Sequence, residues 1–299
     1  MTFHEPSRRK AIKNILLGGV GISAFPSMTL AETNASEKKP LKFKGNINHS
    51  VCAWCYNFIS IEELCKVVKK IGFSAIDLVG PKDWPTLQKY GIFSSMCDGA
   101  ELGIPDGWNR KENHEKLIKN YTEHIDLVSK AGYKNLICFS GNRRGMDDQT
   151  GMDNCAEGLK KIMSLAEQKG VIIQMELLNS KVNHKDYMCD KSPWGVELCK
   201  KIGSPNFKLL YDIYHMQIDE GDVIRTIQDQ NAYFGHYHTG GVPGRHIIDE
   251  SQELYYPAIM KAILATGFKD YVAQEFIPVA ENNDAKIAQL KKAIKICDI

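Results

Sequence analysis

The segment "FKLLYDIYHMQIDEGDVIRTIQDQNAYFGHYHTGG", residues 207–241, decides the fold predicted for this chain. It holds two extended candidates, 207–215 and 233–239, on either side of a helical candidate at 222–230. Each extended candidate starts with apolar residues and finishes in polar ones. A strand, a helix and a second strand in this order make up the repeating unit of a parallel α/β sheet.

The same alternation runs from Ile47 to the end of the chain. The extended candidates are residues 47–54, 74–80, 92–99, 135–141, 171–179, 207–215, 233–239 and 271–278. The helical candidates carry apolar residues three and four apart, and six of them finish in a glycine that suits a left-handed C-cap, at positions 72, 91, 132, 170, 203 and 267. Eight strand–helix units in roughly 250 residues predict a (β/α)8 TIM barrel.

An open, doubly wound sheet is the alternative fold. Such a sheet usually has a glycine-rich phosphate-binding turn after its first strand. The corresponding segment here, "CAWCYNFIS" at 52–60, contains no glycine. The barrel is therefore favoured, and the CxxC formed by Cys52 and Cys55 is expected inside a strand rather than at a zinc or redox site.

The composition is that of a globular protein. The chain has 299 residues, of which 43% are hydrophobic and 25% charged, and its formal net charge is +2. This charge, without a basic stripe, argues against a nucleic-acid partner. Nine irregularly spaced cysteines argue against a disulfide framework and predict buried thiols.

The N-terminus has the three-part pattern of an export signal. "SRRKAIKN" at 7–14 precedes an apolar stretch and then "TLA", which ends at residue 31. The paired Arg8 and Arg9 resemble a twin-arginine signal, although Ala11 replaces its usual large apolar residue. We expect a signal at 1–31, a linker at 32–45, a barrel at 46–299, a periplasmic location and no membrane span after signal removal. An uncleaved anchor or amphipathic helix is the alternative.

Four of the late predicted strands end in a potential metal ligand. These residues are Glu176, Asp212, His238 and Glu275. Apolar neighbours in sequence would face the helices, so alternation directs all four toward the barrel axis. Three carboxylates and an imidazole in a confined space predict a divalent cation, with unrelated salt bridges as the alternative. The oxygen-rich set suits Mn²⁺, Mg²⁺ or Co²⁺, and Zn²⁺ is also permitted.

Three further polar residues lie close to these ligands in sequence. His236 shares a strand face with His238 and is expected to support it from behind. Arg245 follows a Pro-Gly turn and is a candidate for gripping substrate oxygen. His215 is a second such candidate, provided that the chain turns after Asp212. The alternatives are a solvated arginine and a histidine that faces a helix.

A basic pair follows the fourth predicted strand. Arg143 and Arg144 lie in "SGNRRGMDD", residues 140–148. An anion-binding or lid loop is one interpretation of this pair. Solvated arginines are the other, and the sequence leaves both open.

"YDIYHMQ" at 211–217 and "GHYHTGGVPGR" at 235–245 resemble the hydroxypyruvate isomerase family, within the xylose isomerase-like barrel superfamily. The resemblance covers about residues 47–298 and implies one divalent ion held by the four strand-end ligands named above. Hydroxypyruvate isomerases usually carry Gln where this chain has His238, whereas ketose 3-epimerases carry His. The substrate is therefore open between these two groups.

The resemblance implies an isomerase that converts hydroxypyruvate to tartronate semialdehyde through an enediolate. Glu176 and Glu275 would then remove and return the proton. The alternatives are a ketose 3-epimerase, an exported enzyme acting on oxidised sugars or glycosides, and a non-catalytic sugar-binding protein. Phosphodiester cleavage would need a larger histidine cluster. The expected partner is a small molecule, and homo-oligomer formation is left open.

Overall fold

The computed structural model describes residues 40–299. The predicted signal and residues 32–39 of the predicted linker lie outside the described residues, so both stay predictions. Within the described part, no helix combines the length and the apolar character needed to cross a bilayer.

Residues 40–45 of the predicted linker contact the rest of the described chain. The backbone N–H of Leu41 donates to the carbonyl of Ile71 at 2.8 Å. The ring of Phe43 lies 5.6 Å from that of His49. Packing of the barrel domain therefore begins at Leu41.

All eight predicted strands are present, and most end several residues earlier than the polar stretches indicated. They are β1 (Asn48–Val51), β2 (Ala75–Asp77), β3 (Phe93–Met96), β4 (Asn135–Cys138), β5 (Ile172–Glu176), β6 (Phe207–Asp212), β7 (Phe234–Thr239) and β8 (Tyr271–Gln274). One parallel sheet has the order β1-β8-β7-β6-β5-β4, and β2 pairs with β3. Single bridges from Cys52 to Asp77 and from Cys97 to Leu136 join the two sheets into a closed barrel. The TIM-barrel prediction is confirmed.

Helices follow the strands as the periodicity predicted, with one addition. They are α1 (Ile61–Ile71), α2 (Trp84–Lys89), α3 (Lys111–Lys130), α4 (Asp148–Lys169), α5 (Ser192–Ile202), α6 (Ile213–Asp219), α7 (Val223–Gln230), α8 (Tyr256–Ala265) and α9 (Asn283–Cys297). The addition is α6, because residues 213–215 were expected to be extended. The Asp212 carboxylate accepts the N–H of His215 at 3.1 Å and caps this helix, so the strand ends there.

Helix α1 shows how local sequence sets an element's limits. Ser60 and Glu63 form a reciprocal capping box at its start. Leu64 and Val68 face the core. Gly72 ends the helix at φ +114°, and a Cβ there would lie 3.2 Å from the carbonyl oxygen of Leu41. Only glycine fits this turn without strain.

The main core lies between the strands and the surrounding helices. Met175 and Tyr211 are fully buried there, on the strand faces opposite the candidate ligands, and Phe276 is fully buried just after β8. All nine cysteines are free and buried, as predicted. Cys55 lies in a short 3₁₀ helix, Ala53–Tyr56, so its placement inside a strand was wrong. The early end of β1 places this segment at the mouth of the barrel.

Candidate active site

The four predicted ligands meet at the carboxyl-terminal end of the barrel. Glu176 and Asp212 are the last residues of β5 and β6, His238 lies near the end of β7, and Glu275 follows β8. One ligand atom from each lies within 4.8 Å of the others, and all four residues are buried. The alternation of side chains along the strands therefore brings all four residues together, as expected.

His238 contacts a different group through each ring nitrogen. Its Nδ1 lies 2.9 Å from Oε2 of Glu275 and 3.2 Å from Oε1 of Glu176. Its Nε2 lies 3.0 Å from Oδ1 of Asp77. With the Nε2 proton donated to Asp77, Nδ1 faces the other carboxylates and is the nitrogen available to a cation.

Asp77 is a site residue that the sequence argument missed. It ends β2, is fully buried, and its Oδ2 accepts the Ser95 hydroxyl at 2.7 Å. Burial raises its pKa, but His236 and His238 outweigh that effect and hold the pKa below its usual range. A signal was present, because "SAIDLVG" at 74–80 also ends an apolar strand near a lone acid. The four predicted ligands all come from the later strands, β5 to β8.

His236 supports the site through Asp77. Its Nε2 lies 2.7 Å from Oδ2 of Asp77. The ring of His236 is centred 5.3 Å from that of His238, to which it is nearly perpendicular. Its place behind the ligand is the one the sequence predicted, and the residue that connects the two histidines is the newly found aspartate.

The side chain of Arg245, which follows the Pro-Gly turn, lies in the site. Its terminal nitrogens lie 2.6 Å from Oδ2 of Asp212 and 2.9 Å from Oε2 of Glu275. The guanidinium lies 4.7 Å from the ring centre of Tyr214 and 5.8 Å from that of Trp54. Arg245 lines the cavity, as a substrate-gripping residue would, but it binds two carboxylates there.

The buried charges shift one another's protonation. Burial raises the pKa of Glu176, and it raises the pKa of Asp212 to about 7 against the opposing effect of Arg245. Burial acts in the same direction on Glu275, but Arg245 and His238 hold its pKa well below its usual range. Burial lowers the pKa of His238, and Glu275, Cys52 and Asp77 together more than reverse this. A cation and the Nδ1 proton would thus compete for one lone pair.

His215 reaches the cavity because the chain turns into α6. Its side chain is buried, with Nδ1 next to the Asn179 amide and Nε2 next to Arg245. Burial, followed by Arg245, lowers its pKa well below the usual value. The imidazole is therefore neutral at pH 7, and the condition set for this candidate, a turn after Asp212, is met.

Arg143 and Arg144 are held by ion pairs away from the cavity. Arg143 lies 3.0 Å from carboxylate oxygens of Asp148 and of Asp190. Arg144 lies 2.7 Å from Asp106. Arg143 also donates to backbone carbonyls at 187 and 188, so it ties two loops together. Neither arginine lines the cavity that Glu176 and Glu275 line.

A cavity of about 630 Å³ opens onto the carboxylates. Its wall includes Trp54, Phe139 and Tyr214, which sequence reasoning did not find because they lie on loops or helix starts. The Trp54 indole N–H donates to Oε1 of Glu275 at 2.8 Å. A second cavity of about 450 Å³, lined by residues 248–257, contains none of the candidate metal ligands. The titratable cluster makes the first cavity the candidate active site.

The chain is similar to proteins named as isomerases. A 2-oxo-tetronate isomerase of Cupriavidus necator is 32% identical over 124 residues, which cover 42% of this chain and 47% of that protein. The matched part is thus less than half of that relative. A Mus musculus protein named as a hydroxypyruvate isomerase is 26% identical over 259 residues, which cover 80% of this chain and 90% of that protein.

The fold is shared with solved structures. The apo form of a 3-keto-D-glucoside 4-epimerase from E. coli matches with a TM-score of 0.70 over 83% of this chain and 99% of that chain. Its identity of 17% makes this a likeness of fold alone. The sequence profile described as "Xylose isomerase-like TIM barrel" matches residues 65–297, which is most of the chain. The chain therefore belongs to the xylose isomerase-like TIM barrel family.

Proposed function

We propose that this protein is a metal-dependent enzyme that moves a proton at a carbon next to the carbonyl of an α-hydroxy carbonyl compound, as an isomerase or epimerase. The observation that carries the proposal is the convergence of Glu176, Asp212, His238 and Glu275 within 4.8 Å. Two of them, Glu176 and Glu275, line a cavity large enough for a substrate. The names of the relatives at 32% and 26% identity support the same reaction class.

The donor set fits a divalent cation. Three carboxylates face one guanidinium and one imidazole, so anionic groups outnumber the cations that balance them. Carboxylate oxygens with a single imidazole suit Mn²⁺, Mg²⁺ or Co²⁺, with Zn²⁺ as a further option. When bound, the cation would act as a Lewis acid that polarises the substrate's carbonyl.

The chain's own residues supply proton transfer and orientation. Glu176 and Glu275 come from β5 and from the end of β8, so they approach the substrate from different parts of the rim. Trp54 and Arg245 donate to the two oxygens of Glu275 and fix its direction. Glu176 and Glu275 would remove and return the proton. Phe139 and Tyr214 in the wall exclude water.

Two substrates follow from the comparisons and the ligand set. Hydroxypyruvate, with tartronate semialdehyde as product, follows from the name of the 26% identical relative. A ketose, epimerised at its third carbon, is the second candidate, favoured by a histidine rather than a glutamine at position 238. A non-catalytic sugar-binding role would leave the paired glutamates without a use. Export to the periplasm remains part of the proposal and rests on the sequence of residues 1–31.

Proton exchange tests the proposed function. Protein stripped of metal by a chelator is incubated in deuterated water with hydroxypyruvate, with D-fructose and with neutral oxidised glycosides. Deuterium at the carbon next to the carbonyl is followed by NMR, and heat-denatured protein gives the background. We expect no exchange in the stripped protein and recovery on adding Mn²⁺, Mg²⁺ or Co²⁺. Exchange that persists after complete metal removal, or no exchange with any substrate, would refute the proposal.

A further inference from the structure

The cavity wall narrows the class of substrate, on the condition that the proposed function holds. We propose that the cavity takes an uncharged keto sugar carrying an apolar substituent, such as an alkyl glycoside of an oxidised sugar, rather than a short keto acid. The charges lining the cavity, the apolar side chains at its mouth and its neutral polar groups each support this.

The charged groups that line the cavity disfavour an anionic substrate. Among the described residues, Arg245 is the single Lys or Arg that lines the cavity, and both of its terminal nitrogens lie within 3 Å of Asp212 or Glu275. Its side chain is only 11% exposed. A substrate carboxylate that points away from the bound cation would have to displace one of these partners or lie unpaired beside anions. Burying such a charge without a partner is costly, so the lining favours an uncharged substrate.

The mouth of the cavity is unusually apolar. Trp54, Val182 and Ile277 line it and are 42%, 67% and 40% exposed, so they account for half of the six large apolar side chains exposed among residues 40–299. Exposed apolar side chains that cluster around a cavity mark a binding surface. A three-carbon acid held at the buried carboxylates would leave most of the 630 Å³ empty and this rim uncovered.

The cavity is also lined by neutral polar groups. These are Asn183, His184 and Tyr214. The Tyr214 hydroxyl donates to Oδ1 of Asn183 at 2.9 Å. Amide, imidazole and phenol groups donate to and accept from sugar hydroxyls without a charge mismatch. The wall thus combines carboxylates, neutral polar groups and an apolar rim, the surfaces that a keto sugar with an apolar substituent requires.

A matched pair of substrates tests this directly. The metal-loaded enzyme is compared on hydroxypyruvate, methyl 3-keto-β-D-glucopyranoside and butyl 3-keto-β-D-glucopyranoside, with kcat/KM for α-proton exchange as the readout. We expect the butyl glycoside to exceed the methyl glycoside by about ten-fold, because the longer chain covers the rim, and hydroxypyruvate to be the poorest. Equal values for the two glycosides, or hydroxypyruvate as the best substrate, would overturn the inference and leave the proposed function standing. No exchange with any of them, nor with D-fructose, would remove both.

A rim variant locates the effect. Val182→Ser changes an exposed side chain outside the carboxylate cluster, so the fold should be kept while the ratio of kcat/KM for the butyl over the methyl glycoside falls several-fold. Leu127→Ser is the matched control, because Leu127 is 41% exposed on α3 and does not line the cavity. This control should keep the preference. Loss of preference in the control, or full preference in Val182→Ser, would contradict the assignment of the rim.

Discussion

The two sides of the His238 ring have opposite surroundings. On the Nδ1 side, Glu176 and Glu275 face a cavity large enough for a substrate. On the Nε2 side, Asp77 and Ser95 are fully buried. The open side can exchange its partners for a ligand, and the closed side cannot. Chemistry is therefore assigned to the first, and control of the imidazole's direction and proton to the second.

The largest effect is expected on the open side. Glu176→Gln and Glu275→Gln keep side-chain shape but remove the proton acceptor, so exchange should fall by about 10² to 10⁴-fold. Circular dichroism and thermal unfolding should show a retained fold. Glu157→Gln is the matched control, because Glu157 pairs with Lys111 on the surface. Activity within a few-fold of wild type in either cavity variant would break the assignment of proton transfer.

An intermediate effect is expected on the closed side. Asp77→Asn removes the anion that accepts the Nε2 proton of His238, so the ring loses its fixed orientation. We expect metal affinity to drop by about 10- to 100-fold, with a smaller loss of kcat at saturating metal. Calorimetric titration with Mn²⁺ measures the first quantity, and exchange rates measure the second. An unchanged Kd together with a lower Tm would assign Asp77 to stability alone.

The smallest effect is expected at Ser95, which contacts Asp77 and is therefore one contact further from His238. Ser95→Ala removes the hydroxyl that donates to Asp77 at 2.7 Å. We expect the free energy of unfolding to fall by about 1 to 2 kcal/mol, since a buried acceptor loses a partner, and activity to stay within a few-fold. Urea unfolding gives the first value. A loss of metal affinity as large as in Asp77→Asn would show that Ser95 also controls the direction of the His238 imidazole.

Strand parity explains why much of the site was predictable. In a parallel barrel, a polar residue flanked by apolar ones must face the axis, and the strand end fixes its height. That rule placed Glu176, Asp212, His238 and Glu275 correctly without any knowledge of the loops. The rule applies equally to Asp77. This residue was missed because the rule was applied only to the later strands.

The remainder of the site depends on loops and caps, for which periodicity gives no rule. The turn at His215 follows from one side-chain hydrogen bond by Asp212, which competes with continuation of the strand. The ion pairs of Arg245 depend on the path of the loop before it. The apolar rim combines Trp54, Val182 and Ile277 from three distant segments, so only the tertiary structure shows it.

Asp212 has two duties that cannot be separated. Its Oδ1 accepts from the backbone at the start of α6, and its Oδ2 accepts from Arg245. Any attempt to retune the enzyme by replacing this carboxylate would also loosen a helix that carries part of the pocket. Protein engineers seeking altered selectivity should leave Asp212 unchanged. They should vary the exposed rim residues instead, where side chains can change without disturbing the backbone.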